Sequence, residues 1–96
     1  MRRREFETTL RWSDEAHEIL IELLRALPAS IREETEELSI ARAESLTLEQ
    51  NEEEVAMETA VAALIESAPQ EVRSRLRGTL AYHGIAPEEY EDSFNS

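Results

Sequence analysis

Apolar residues recur at helical spacing between residues 13 and 27. Ser13 is a good N-cap residue, and Asp14 and Glu15 in the following turn suit the positive end of a helix dipole. The apolar residues that follow are spaced by three or four positions and comprise Ala16, Ile19, Leu20, Leu23, Leu24 and Leu27. This pattern predicts an amphipathic helix over residues 13–27, which Pro28 ends.

A second helix is indicated by the pair Ser30 and Glu33. A serine followed three residues later by a glutamate forms a capping box, in which each residue satisfies an amide of the other. The box predicts a helix over residues 31–45. Its apolar face is thin and consists of Ile31, Leu38 and Ala41.

A third helix is indicated by the pair Thr47 and Gln50, which reads as another capping box. We expect this helix over residues 48–67. Its second half, from Val55 onward, is apolar nearly all round, which is typical of a helix at the centre of a fold.

The C-terminal part of the chain predicts a fourth helix over residues 70–83, between Pro69 and Gly84. A short turn follows at residues 87–90, and we expect residues 91–96 to be frayed. The predicted fold is therefore all-α, a single domain over residues 1–96 built as a small bundle of about four helices.

The N-terminal segment has a different period. Phe6, Thr8, Leu10 and Trp12 alternate with polar or charged residues, which predicts an extended arm over residues 1–12. A single strand leaves its backbone groups unsatisfied, so the arm either lies over the helices or pairs with the arm of a second copy.

Composition narrows the function. The chain has 96 residues, with 22 acidic and 10 basic residues and a formal net charge of −12, and it contains no cysteine. The negative surface repels nucleic acid, and the missing thiols exclude disulfides and cysteine-based metal sites. No apolar run is long enough for a membrane span or a signal peptide, so we expect a cytoplasmic protein.

Candidate chemistry is sparse. The sequence has no phosphate-binding glycine loop and no defensible catalytic set, so we expect no enzymatic activity and no cofactor. Carboxylates could converge only in two acidic clusters, over residues 33–37 and 52–58. The candidates for binding a hard cation in these clusters are Glu36, Glu37, Glu54 and Glu58. A carboxylate-rich, short ferritin-like bundle completed by dimerisation is therefore the alternative function, although its Glu-x-x-His motif is missing.

A series of short motifs begins at Trp12: Trp12-Ser13-x-Glu15-Ala16, Pro28-x-x-Ile31-Arg32, Glu36 before Ala41-Arg42, then Leu46-Thr47-x-Glu49 and Val55. In these motifs the chain resembles the PCP-reductase-like family over about residues 10–60. This family comprises the small helical domain at the C-terminus of the B subunit of light-independent protochlorophyllide reductase. The chain departs from the family pattern at Ala29-Ser30, where the family has an aromatic pair, and in its acidic second helix.

The resemblance implies an accessory role. In the reductase, larger domains carry the iron–sulfur and pigment chemistry, and the small domain helps to complete the assembly. The matched positions are packing and capping positions, so the resemblance implies no catalytic residue in this chain.

The leading hypothesis is a non-catalytic interaction protein that forms a homodimer or docks on a larger protein complex. A thin second helix, an apolar third helix and an apolar arm leave much surface to cover in a small domain. The predicted contact residues are Phe6, Leu10, Trp12, Val61, Leu64 and Ile65. A further hypothesis is that the acidic face from Glu52 to Glu58 binds a basic partner.

Overall fold

The computed structural model describes residues 10–96, and this part of the chain folds mainly as helices. The predicted all-α fold class is confirmed, with one minimal pair of strands added to it. The elements in chain order are β1 (Arg11–Trp12), α1 (Asp14–Arg25), α2 (Ala29–Glu49), β2 (Glu54–Val55), α3 (Met57–Ser67), α4 (Gln70–Tyr82), a 3-10 turn (Pro87–Tyr90) and α5 (Glu91–Phe94).

Helix α1 begins where the sequence predicts. The Ser13 hydroxyl is the N-cap and accepts a hydrogen bond from the Ala16 amide at 3.0 Å. The buried side of α1 carries Ala16, Leu20, Leu23 and Leu24. The helix ends at Arg25, two residues before the predicted end, because Leu27 donates to the Leu24 carbonyl in a tighter turn.

The predicted capping box at Ser30 is wrong. Helix α2 begins at Ala29, so Ser30 already lies inside its first turn, and the N-cap is Pro28 with no side-chain cap. The turn is held instead by Arg32, whose guanidinium donates to the carbonyls of Leu24 at 3.0 Å and Leu27 at 2.7 Å. These charge-assisted bonds satisfy carbonyls at the C-terminal end of α1 and so fix the turn between α1 and α2.

The predicted capping box at Thr47 is also wrong, and the third helix therefore starts later than predicted. The Thr47 hydroxyl donates to the Ala43 carbonyl at 2.8 Å, a bond that a threonine makes inside a helix, so α2 continues to Glu49. The chain then reverses through Asn51, which has a φ of 59°. Helix α3 consequently begins only at Met57, nine residues after the predicted start at residue 48.

Helix α3 lies at the centre of the fold, as its apolar composition predicts. It contacts α1, α2 and α5. Its buried residues are Ala60, Val61, Ala63, Leu64 and Ile65. Helix α4 adds Val72, Leu76 and Leu80 to the same core.

The C-terminal residues are ordered in the structure, contrary to the prediction of a frayed segment over residues 91–96. The predicted turn is present as the 3-10 turn, and α5 follows it directly. Tyr90 and Phe94 are buried in the core, and Ser93 is buried beside them. The sequence prediction overlooked that two aromatic residues four positions apart bury enough apolar surface to hold a short helix.

The described end of the N-terminal arm pairs within the chain. Strands β1 and β2 are parallel, with Arg11 opposite Glu54 and Trp12 opposite Val55. The Ser13 amide also donates to the Val55 carbonyl at 3.1 Å. Residues 1–9, including Phe6, lie outside the described residues.

Candidate functional site

A groove of about 450 Å³ opens where α2 ends and α3 begins. Its charged lining residues are Glu52, Glu54 and Glu58, which we call the rim, and its other lining residues are apolar or uncharged, which we call the floor. We call this groove the acidic groove, and its lining residues are Leu46, Thr47, Gln50, Glu52, Glu54, Ala56, Glu58, Thr59 and Ala62. The local reversal after Asn51 positions two of these carboxylates on the loop that returns to α3.

The three carboxylates of the acidic groove are exposed, and none makes a side-chain hydrogen bond or an ion pair within residues 10–96. Some other carboxylates on this part of the chain are paired with arginines. Arg42 contacts Glu66 at 2.7 Å, and Arg77 contacts Glu91 at 3.0 Å. Arg11 lies opposite Glu54 across the strand pair, but no arginine of the described chain forms an ion pair with the carboxylates of the acidic groove.

Glu58 of the acidic groove also affects the pKa of the buried Tyr90. Burial raises the pKa of the Tyr90 hydroxyl above 10.0, and the nearby charges of Glu58 and Glu89 raise this pKa further.

The four candidate metal ligands do not all lie in one place. Glu54 and Glu58 line the acidic groove, whereas Glu36 and Glu37 lie on α2 and do not line it. Glu36 is buried, with 5% of its surface exposed, and Glu37 is exposed. Within residues 10–96, no group of three or more histidine, aspartate or glutamate side chains is arranged to hold a metal ion.

Three of the predicted contact residues are not on the surface. Val61, Leu64 and Ile65 are fully buried in the chain's own core, at 0% exposure each, so they form no exposed contact patch. The prediction was wrong about their exposure because α1, α2 and α5 together cover α3. Leu10 and Trp12 are partly buried, and both pack against a small cluster that contains Ala16, Ala43 and Val55.

A second concave surface, of about 500 Å³, lies between α1 and α4. Its most exposed large side chain is Tyr82, with 87% of its surface accessible, and the Tyr82 ring meets the His83 ring edge-on at 5.3 Å. We call it the tyrosine surface, and its residues are Glu22, Arg25, Ala26, Arg75, Gly78, Thr79, Tyr82 and His83.

Sequence reasoning did not identify the tyrosine surface, although a signal for it exists. The buried stripe of α4 ends at Leu80, and a residue two positions later on a helix points away from that stripe. Tyr82 therefore had to face outward. His83 is the C-cap of α4, with its amide bonded to the carbonyls of Thr79 and Leu80.

The outward face of α2 is the other place where large apolar side chains are exposed in the described chain. Leu38 is 49% exposed and Leu48 is 61% exposed. They are ten residues apart on one helix, with the exposed small residues Ala41 and Ser45 between them. These leucines belong to neither of the two concave surfaces.

Comparison with known proteins found no relative of this chain. No helix within residues 10–96 is long and apolar enough to cross a membrane. No protein-family model, no curated protein and no solved structure matches the chain.

Proposed function

We propose that this chain is a small cytoplasmic, non-catalytic interaction protein that docks on a larger assembly by binding a basic segment in the acidic groove. The observation that carries the proposal is the set of three exposed carboxylates, Glu52, Glu54 and Glu58, which line the groove together with uncharged residues and form no ion pair within residues 10–96. A basic segment would supply the missing countercharges.

The chemistry of the groove suits arginine better than a bare cation. The apolar floor residues Leu46, Ala56 and Ala62 offer contacts for an aliphatic stem. The guanidinium at the end of that stem can donate two parallel hydrogen bonds to a carboxylate on the rim. A segment with arginines spaced by uncharged residues therefore matches both the floor and the rim.

The resemblance of residues 10–60 to the PCP-reductase-like family supports an accessory role beside larger subunits. In that family the small helical domain helps to complete an assembly. The carboxylates of the acidic groove favour a positively charged contact surface, because opposite charges accelerate encounter and select the partner.

Binding of a synthetic peptide tests the proposal. A fluorescent peptide that alternates arginine with alanine is titrated with the full chain, and the change in anisotropy is followed. We expect saturable binding that weakens steeply as salt is added, because exposed charges drive it. The double variant Glu54→Gln/Glu58→Gln should bind at least about tenfold more weakly.

The matched control is Glu34→Gln/Glu37→Gln, which removes two exposed carboxylates of α2 outside the acidic groove. This control should bind like the unchanged protein, apart from a small loss due to net charge. Equal weakening by both double variants would mean that the peptide responds to overall charge, and the groove would then have no specific role.

A further inference from the structure

We propose that the partner of the acidic groove is a second copy of this chain, whose Tyr82 enters the groove while Arg75 and Arg25 reach the carboxylates on its rim. This inference rests on the proposed function, because it assigns an occupant to the same groove. In this contact one copy uses its acidic groove and the other uses its tyrosine surface.

The exposed ring of Tyr82 suits insertion into a groove on another molecule. Tyr82 is the most exposed large apolar side chain described, and it stands at the end of α4 beside Gly78, whose missing side chain leaves open space. A tyrosine that becomes buried on binding removes on the order of 150–250 Å² from water. Tyrosine and arginine are also the residue types that most often carry the binding energy of an interface.

The interior of the acidic groove suits the same ring. Leu46, Ala56 and Ala62 provide an apolar floor, and Thr59 provides a hydroxyl. The groove volume of about 450 Å³ leaves room for one aromatic side chain and its neighbours. Polar groups at the rim remain available for the arginines that flank the tyrosine.

Charges on the two surfaces are complementary. The tyrosine surface carries Arg25 and Arg75 against a single acid, Glu22, in a chain whose overall net charge is −12. Arg75 makes no side-chain hydrogen bond or ion pair within residues 10–96, and the Arg25–Glu22 pair at 3.4 Å is exposed. Exposed pairs are worth only about 0–1 kcal/mol, so Arg25 can exchange its partner at little cost.

The two surfaces share no residue, since one joins α2 to α3 and the other joins α1 to α4. One copy can therefore donate its Tyr82 to a neighbour and receive another neighbour's Tyr82 at the same time. A contact between unlike surfaces is heterologous, and it extends into a chain of copies or closes into a ring. Two copies that insert Tyr82 into each other's groove would instead form a symmetric dimer, in which the same contact is used twice.

Sedimentation equilibrium of the full chain tests this contact at about 0.15 M salt, where the general repulsion between negative copies is screened beyond about 8 Å. The weight-average mass of the unchanged protein should rise with concentration from the chain mass of 11.0 kDa to at least twice that value. Tyr82→Ala loses the inserted ring and Glu54→Arg reverses the rim charge. Each variant alone should associate at least about tenfold more weakly.

An equimolar mixture of the two variants provides the decisive measurement. Glu54→Arg still has Tyr82, and Tyr82→Ala still has an intact acidic groove, so the mixture should form pairs and stop at two chains. The matched controls are Leu48→Ala and Glu34→Arg, which change exposed residues outside both surfaces and should associate like the unchanged protein. Circular dichroism melting verifies that every variant is folded.

The inference is overturned if the unchanged protein stays monomeric to millimolar concentration or if the variant mixture fails to pair. Association lost equally in Leu48→Ala would assign the contact to the outer face of α2 instead. A monomeric protein that still binds the arginine–alanine peptide would leave the proposed function standing and remove only the second copy as partner. Failure of both experiments would remove both proposals.

Discussion

The indole Nε1 of Trp12 donates a hydrogen bond to the Glu44 carboxylate at 3.1 Å. The same carboxylate oxygen accepts the Leu10 amide at 3.2 Å. One side chain of α2 therefore holds both the backbone that leads into β1 and the only tryptophan of the chain. Trp12 is partly buried, and its polar edge reaches α2, as is usual for a tryptophan at the margin of a core.

This relationship predicts a specific loss of stability in Glu44→Ala. The substitution leaves the Leu10 amide and the Trp12 indole without this acceptor, and hydrogen bonds to a charged group are worth about 1.5–3 kcal/mol each. We expect the free energy of unfolding, measured in urea, to fall by about 2–4 kcal/mol. Ser45→Ala, at the exposed neighbouring position, should change it by less than about 0.5 kcal/mol. A small effect of Glu44→Ala would show that water satisfies both donors.

Arg73 should hold the C-terminal residues in place. Its guanidinium donates to five backbone carbonyls, namely those of Glu66, Ala68, Ser93, Phe94 and Ser96. We expect Arg73→Ala to destabilise the protein by about 2–4 kcal/mol and to speed amide hydrogen exchange in α5. Lysine donates three hydrogen bonds without the planar fork, so Arg73→Lys should recover only part of the loss.

The control for Arg73 lies two residues away on the same helix. Arg75 is exposed and has no side-chain partner in the described chain, so Arg75→Ala should alter stability by less than about 0.5 kcal/mol. If the two alanine variants were equally stable, the carbonyl contacts of Arg73 would contribute nothing to the fold.

The contact between Arg77 and Glu91 predicts that the stability of the fold depends on pH in the acidic range. Arg77 donates two hydrogen bonds to the Glu91 carboxylate, each at 3.0 Å, and these bonds lower the pKa of Glu91 below 4.5. A lowered pKa in the folded state stabilises the protein above the ordinary pKa, and this stabilisation is lost as the pH falls through the lowered value.

Unfolding measured at neutral pH and below pH 4.5 in the unchanged protein and in Glu91→Gln checks this dependence. The two proteins should differ in stability at neutral pH and converge in acid. Both groups are exposed, so the difference should shrink with salt. A constant difference across this pH range would contradict an ionic origin. Arg77 also lies over the Phe94 ring at 4.1 Å, and that contact should persist in acid because the guanidinium stays charged.

Leu64 tests the assignment of α3 to the interior. Leu64 is fully buried, so Leu64→Ala should cost about 2–5 kcal/mol through lost burial and the remaining cavity. Leu48→Ala is the matched control, because Leu48 is 61% exposed and its loss should cost less than about 0.5 kcal/mol. Urea unfolding of both variants gives the comparison. Similar costs would mean that the α3 leucine is as accessible as the α2 leucine.

The sequence by itself determined the helical class and the core residues of α1 and α3, but not the buried face of α2, where Ile40 and Ala43 are buried and Leu38 is 49% exposed. Periodicity at Leu20, Leu23 and Leu24 predicted one buried stripe, and the apolar run of α3 predicted its central place, because only an interior position covers a helix that is apolar all round. The sequence predicted the helix caps less reliably than the buried positions of α1 and α3. Ser13 caps α1 as predicted, whereas Thr47 bonds to Ala43 inside α2, since a threonine hydroxyl satisfies either role.

Only the tertiary structure decided which surfaces are left to bind. Val61 and Leu64 belong to the most apolar helix, yet three other helices cover them, and no local pattern specifies which elements meet there. The same holds for the acidic groove, whose residues come from α2, α3 and the segment between them. Helix periodicity predicts that Tyr82 faces outward, but only the tertiary structure places it and Arg75 beside α1. Local sequence sets the period of each helix, but exposure depends on how the helices pack together, which involves residues far apart in the chain.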